Sequence, residues 1–348
     1  NGTQVNSVVI DNDFQDTWVE LHPVVDPENL NAKELADLCR EMGIVGMGGA
    51  TFPTAVKLSV PEGKKVDTLV INGAECEPYL SADHRLMLEK SEEIVQGIEI
   101  VRRALSISAV KIGIESNKPD AIEMMKKACD GHEGIEIVSL PARYPQGGEK
   151  QLVYALTGRK VRNGALPLDI GVIVLNVDTC YVIRRAVYEG RPVVDRVLTV
   201  GGTVQKPANY LARIGSPVEW FLDTSGGLLP ETRMLIYGGP MMGTCVADLS
   251  QPILKNNNAI LAFSQERAKL PKASNCIQCG RCVNACPLGL AAKDIVVAFN
   301  KGNVELLNQL HADLCMSCGT CSFVCPAKRP LTPSIALAKI MMKNGGKK

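Results

Sequence analysis

Cys276, Cys279, Cys282 and Cys286 are followed by Pro287, and the same spacing returns at Cys315, Cys318, Cys321 and Cys325, followed by Pro326. Two C-x2-C-x2-C-x3-C-P runs lying this close together form the ligand pattern of a pair of [4Fe–4S] clusters, which move electrons singly. Three thiolates at i, i+3 and i+6 wrap one loop around three irons, and the fourth must arrive from elsewhere. In two-cluster proteins of this spacing the last cysteine of each run serves the other cluster. The expected sets are therefore Cys276, Cys279, Cys282 and Cys325 for one cluster, and Cys315, Cys318, Cys321 and Cys286 for the other. Gly280 and Gly319 suit a backbone that bends around a cube and offers N–H groups to sulfur. Zinc would favour separated C-x2-C pairs. Disulfides fit neither the regular spacing nor a chain that opens without a secretory signal. The remaining cysteines (Cys39, Cys76, Cys129, Cys180 and Cys245) are scattered and are expected to be buried thiols.

A second constellation lies near the start. Gly46-Met47-Gly48-Gly49-Ala50-Thr51-Phe52-Pro53-Thr54, with Lys57 just beyond, follows a helical pattern. No Gly-Lys-Ser/Thr follows, so it is not a P-loop, and Thr51 occupies the third glycine position of a dinucleotide fingerprint. Gly46, Gly48 and Gly49 offer close backbone approach to a flat or phosphorylated ligand, and Lys57 suits a phosphate or a flavin edge. A mere structural turn is the alternative. Farther on, Asn72-Gly73-Ala74-Glu75-Cys76-Glu77-Pro78 follows a buried-strand pattern at 66–71. Glu75 and Glu77 thus sit at the carboxyl end of a strand, where α/β folds place ligands and where acids accept hydrogen bonds from a ribose or a carboxamide. Paired acids for proton transfer are the competing reading.

The elements that must position these residues read as an alternation. Asn31 with Glu34 is a capping box for a helix carrying Leu35, Leu38, Cys39 and Met42 on one face, stopped at Gly43. Helix 91–105, strand 109–114, helix 118–129, strand 135–140, helix 148–157, strand 171–176 and helix 178–189 then follow in the manner of a parallel sheet. Around 193 the texture changes to short strand-like runs with turn glycines, an α+β insert. Residues 250–269 read as a connector with Asn256-Asn257-Asn258 as a loop signal. The cysteine module spans 270–338 with helices at about 291–300 and 303–312, 339–348 reads as a basic tail, and its last residues, 343–348, as a frayed end.

Composition narrows the class. The chain has 348 residues, enough for two or three domains. A net charge of +1 and 4% aromatic residues argue against nucleic-acid binding. No run approaches the roughly 18 apolar residues of a membrane span, so any membrane association is expected to be through partners. Thirteen cysteines point to a reducing compartment. The chain opens at Asn1 in mid-pattern, so it is expected to lack its natural N-terminus.

Taken together the motifs resemble a known family. GMGGATFPTAVKL (46–58), INGAECEPY (71–79), YPQGGEKQLVYALTGR (144–159) and LNVDT (175–179) resemble the NADH- and FMN-binding flavoprotein subunit of respiratory complex I. With GGPMMG (238–243) and two cysteine runs ending in PAKRP, the resemblance is closer still to the RnfC family, peripheral subunits of the ion-translocating ferredoxin:NAD+ oxidoreductase. The resemblance implies an α/β protein with three folded parts. These are a Rossmann-like FMN/NADH domain (31–192), an SLBB-type ubiquitin-like domain (193–249) and an α-helical two-cluster ferredoxin-type domain (270–338). Residues 1–30 would hold the end of a missing barrel-sandwich domain, with Asn6–Asp11 as its last strand, and a linker. It implies that Gly46, Gly48 and Lys57 hold FMN with Asn72, that Glu75 lies at the flavin edge, and that Gly147, Asn176 and Thr179 contact the ribityl-phosphate end. Phe52, Glu77 and Glu149 would meet NAD(H). Met47, Ala74 and Gly148 depart from complex I, which has an arginine, an acid and a glutamate there. The implied activity is hydride exchange between NAD(H) and FMN, with single electrons passing through two [4Fe–4S] clusters. The implied partners are an iron–sulfur subunit that accepts electrons from ferredoxin, flavin-carrying subunits and membrane-spanning subunits, at the cytoplasmic face of a prokaryotic cell membrane. A soluble cobalamin reductase of the PduS type and a non-catalytic relay are the rivals.

Overall fold

In the computed structural model, which describes residues 6–345, the first folded unit is built on a parallel sheet. Its strands are β1 (Thr68–Gly73), β2 (Ala109–Glu115), β3 (Ile135–Leu140) and β4 (Val172–Asn176), in the order β3-β2-β1-β4. The chain moves outward from β1 to β3, then returns past β1 to lay down β4. Right-handed crossovers therefore put the helices of the outward run on one face and the helix of the return on the other. Side chains of β1 divide accordingly. Leu69 and Ile71 join the core under helices Ser91–Ala104 and Val177–Glu189, whereas Val70 packs with Leu152, Val153 and Leu156 of helix Glu149–Thr157. Each such fully buried aliphatic side chain contributes roughly 1.5–3 kcal/mol relative to exposure. Helix Ala32–Glu41 begins as its sequence dictates: the Asn31 side chain accepts from the Lys33 and Glu34 amides, and Glu34 reaches back to the Asn31 N–H.

The second unit is a five-stranded sheet of β5 (Asp195–Gly202), β6 (Ala208–Arg213), β7 (Thr232–Tyr237), β8 (Thr244–Cys245) and β9 (Ala259–Ser264). The order is β6-β5-β9-β7-β8, with β9 parallel to β5 and antiparallel to β7. A first hairpin, a helix (Val218–Thr224) over one face and a last strand inserted beside the first constitute a ubiquitin-like topology. Residues 250–269 are therefore not a connector. They carry β9, the central strand, whose Ile260 and Ala262 pack with Leu198, Val200 and Phe221. The last unit is helical, with Ile295, Val296, Leu307, Leu331, Ile335, Ala338 and Met341 at its core. Helix Leu331–Lys343 extends into the stretch 339–348 expected as a basic tail, because Ile335, Ala338 and Met341 keep one face buried. Residues 6–11 form no strand and lie exposed. An isolated extended segment leaves its backbone groups to water unless a neighbouring strand pairs with it. Among the described residues no helix is long and apolar enough to cross a membrane.

Candidate functional site

The order β3-β2-β1-β4 reverses direction between β1 and β4, and at such a switch point an open α/β sheet leaves a crevice at its carboxyl edge. Parallel register sets Asn72 beside Asn176 across that point, and the Asn176 amide donates to the Asn72 carbonyl (3.3 Å). Asn72 in turn donates to the Gly147 carbonyl (3.0 Å). The oxygen of Asn176 caps helix Val177–Glu189 by accepting from Asp178. Thr179, in that helix's first turn, accepts from the Met47 amide (3.0 Å) and so ties the glycine loop to the crevice. Lys57 donates to Glu149 (2.7 Å) and to the Val174 carbonyl of β4 (3.0 Å). Gly46, Gly48, Lys57, Asn72, Gly147, Glu149, Asn176 and Thr179 thus converge from five separate segments. A side chain at Gly48 would meet Asn176 at 3.4 Å, and one at Gly147 would meet Asn72 and Cys76 at 3.4 Å, so both glycines keep the cradle open. Gly49 borders the loop Asn256–Asn258, and Phe52 projects to solvent at 46% exposure. These groups fit a flat, polar-edged ligand.

Glu75 and Glu77, two residues apart, do different work. Glu75 adopts a left-handed backbone (φ 44°) that turns its carboxylate onto the Asp83 and His84 amides (2.8 and 3.0 Å), at the start of helix Ala82–Glu89. The residue as a whole is half-buried, but its carboxyl group is the enclosed part. Burial, and then the negative charge of Asp83, push it up to about 8; the carboxyl of half-buried Asp83 is enclosed as well and is pushed up too. Glu77 faces the other way and accepts from the Met241 and Met242 amides (2.7 and 2.9 Å) of the ubiquitin-like unit.

The Glu75 environment sets a pH dependence. Between the ordinary value of 4.5 and about 8 the folded protein holds a proton that the unfolded chain has released. Stability is then greatest on the acid side of this window and falls as pH rises through it, by up to ~1.4 kcal/mol per unit for one proton. Anaerobic denaturant unfolding across the window should show that fall, and Glu75→Gln should flatten it whatever its effect on absolute stability. An unchanged slope would assign the dependence to other groups.

Two cations that sequence reasoning missed hold these loops. Arg196 of β5, 0% exposed in its side chain, donates to the carbonyls of Met47 (3.2 Å) and Lys255 (2.5 Å). Its charge faces Asp178 at 3.9 Å, a carboxyl that burial pushes up to about 7. Lys118 donates to the Ala74 carbonyl (2.7 Å) under the acidic turn. The available signal was a charge inside an apolar strand at Arg196; Lys118 gave none.

In the helical unit the two cysteine runs repeat in the backbone as well as in sequence. Gln278 and Ser317 have φ of 54° and 56°, Gly280 and Gly319 of 73° and 81°, and Gly289 and Lys328 of 67° and 52°. These matched left-handed positions curl each loop inward and direct amides toward sulfur, as with the Ser317 N–H on Cys315 (3.4 Å). One cavity is lined by Cys276, Cys279, Cys282 and Cys325, and another by Cys286, Cys315, Cys318 and Cys321. Among the described residues no three His, Cys, Asp or Glu side chains converge on one ion-sized point. Four thiols spread around a cavity fit a polynuclear cluster better than a single ion.

Known proteins share both the motifs and the fold. The chain is 42% identical over 344 residues to the C component of the Na(+)-translocating ferredoxin:NAD(+) oxidoreductase complex of Acetobacterium woodii, covering 97% of the chain and 77% of that relative. The chain belongs to the RnfC family. A second member, the C component of the proton-translocating complex of Clostridium ljungdahlii, is 48% identical over 286 residues, 82% of the chain. The chain spans 62% of that relative's length and 59% of the corresponding protein from Rhodobacter capsulatus. Family models described as the Nuo51 FMN-binding domain and the 4Fe-4S dicluster domain match residues 39–185 and 272–329. The first covers the parallel-sheet unit, and the second covers both cysteine runs. An NAD+-reducing [NiFe]-hydrogenase structure in the H2-reduced state shares the fold, with a TM-score of 0.64 at 18% identity over 91% of the chain and 62% of that chain. The α/β class with a flavin-type parallel-sheet unit and a dicluster unit is that of the RnfC family.

Proposed function

We propose that this chain is an electron-transfer subunit that takes hydride from NADH onto FMN, or returns it, and conducts single electrons through two [4Fe–4S] clusters. The observation that carries this reading is the pair of four-cysteine cavities set beside a switch-point crevice. Flavin, when bound, supplies the exchange between two-electron and one-electron chemistry that nicotinamide and clusters each lack. Lys57, Asn72, Gly147, Asn176 and the loop at Gly46–Gly49 would hold it, and Phe52 and Glu149 would meet the nucleotide, whereas the carboxylate of Glu77 is taken by the Met241 and Met242 amides. Lys57 brings positive charge to the crevice, fixed in place by Glu149 and the Val174 carbonyl.

The two cysteine sets differ in their surroundings, which supports an order along the route. The set Cys286, Cys315, Cys318 and Cys321 is the inner one: Tyr144 of the flavin-type unit donates to the Cys318 carbonyl (2.7 Å), and Gln151 donates to the Pro287 carbonyl (3.4 Å). The set Cys276, Cys279, Cys282 and Cys325 is the outer one, with Cys276 and Cys279 exposed and Ile277 between them 67% exposed. Electrons would pass from the crevice to the inner cluster, then to the outer cluster and onward to iron–sulfur and flavin partners of a membrane complex, at its cytoplasmic face. Relatives named as members of proton- and Na(+)-translocating complexes support that assembly. Anaerobic titration of the cluster-loaded chain with FMN and then NADH should bleach the flavin and reduce both clusters. No flavin binding would overturn the oxidoreductase reading.

A further inference from the structure

We infer that Glu77 and Tyr144 form a three-way joint that fixes the inner cysteine loop against the flavin crevice, making them positioning residues for electron transfer between the two. The inference rests on the functional reading above and concerns contacts that the reading does not use. Three units meet at one spot. From the parallel-sheet unit, Glu77 accepts both the Met241 and Met242 amides with a single carboxylate oxygen (2.7 and 2.9 Å). That grips the loop between β7 and β8, and the grip is close. A side chain at Gly239 would lie 1.8 Å from the Glu77 Cγ, so the loop can seat only with glycine there. The reverse side of the same loop bears on the cysteine unit: a Cβ at Gly319 would stand 2.5 Å from the Met241 carbonyl oxygen. One residue earlier, the Cys318 carbonyl accepts the Tyr144 hydroxyl (2.7 Å).

Tyr144 and Glu77 line one cavity together. The Cys318–Gly319 peptide is thereby held from two directions, by a hydroxyl from the first unit and by a loop that the first unit has itself clamped. Drift of this peptide from the crevice would break the Tyr144 hydrogen bond and unpack Gly319 from a loop that Glu77 holds by charge-assisted bonds. With FMN and the clusters bound, each transfer would take one electron from the reduced flavin and reduce one oxidised cluster by one. The two electrons of a hydride would thus be shared between the two clusters, with the remaining proton released to solvent.

The test uses the cluster- and FMN-loaded chain. In Tyr144→Phe, anaerobic stopped-flow mixing with NADH should show flavin reduction at the wild-type rate and inner-cluster reduction slowed about fivefold, the shift expected from losing one neutral hydrogen bond. The EPR signal of the inner cluster should change while that of the outer cluster does not. Gly239→Ala, which pushes the loop off Glu77, should slow inner-cluster reduction further. It should also speed amide exchange at residues 241–242 and 316–320 by about tenfold, a readout independent of turnover. Wild-type cluster reduction and unchanged exchange in both variants would overturn the joint. Absence of flavin reduction in the wild-type chain would instead overturn the functional reading, and the exchange measurement would still judge the joint.

Discussion

Replacing Cys325 with serine should remove the cluster whose other thiols are Cys276, Cys279 and Cys282, although Cys325 lies in the other run. Iron content should fall by about half. The surviving EPR spectrum should match that of Cys276→Ser and differ from that of Cys318→Ser. Cys286→Ser should do the reverse. The reason lies in how the repeat folds. Each run curls through matched left-handed positions at its second and fourth residues after the first cysteine, which brings three of its thiols to one cavity. Its last cysteine is carried past the following short helix, Arg281–Asn284 or Thr320–Phe323, to the wall of the other cavity. Loss of the Cys315, Cys318 and Cys321 cluster in Cys325→Ser would mean that each run is self-contained.

Lys57→Ala should weaken FMN binding by about tenfold to a hundredfold, the range spanned by losing a charge-assisted hydrogen bond of ~1.5–3 kcal/mol. Lys57 is the cation held inside the crevice, with one bond to Glu149 and another to the end of β4. Its removal takes away positive charge and leaves Glu149, close by, to repel an anionic ligand. Glu149 is partly solvated, so its unpaired charge costs the fold little and the loss should appear in binding rather than stability. Anaerobic FMN titration followed by flavin fluorescence measures this directly, with denaturant midpoints as the control. An unchanged Kd with a lowered midpoint would make Lys57 a strut for β4 and nothing more.

Local chemistry made much of the molecule legible. The capping box at Asn31 and Glu34, the buried run of β1 and the spacing of the eight cysteines each state their own structure within a few residues. What escaped was set by distant partners. β9 is a short apolar run behind an asparagine loop, and its place at the centre of a sheet depends on β5, some sixty residues earlier, and on β7. Nothing local distinguishes such a strand from a connector. Glu75 and Glu77 read as neighbours, yet the left-handed turn at Glu75 sends one to a helix start and the other to a different unit. Arg196 and Lys118 serve carbonyls of remote loops, and carbonyls leave no mark in a sequence.

The likeness of the two cysteine loops, which share left-handed residues at three matched positions, carries one more consequence. Ligand type and loop curl cannot distinguish the two clusters, because both are duplicated. Any difference in their reduction potentials must come from what surrounds each loop, through burial and hydrogen bonds to the cluster. One loop is pressed against the flavin-type unit, and the other meets water unless another protein covers it. The thermodynamic slope of the route is then an environmental property, and whatever docks on the outer loop would retune it without touching a single ligand.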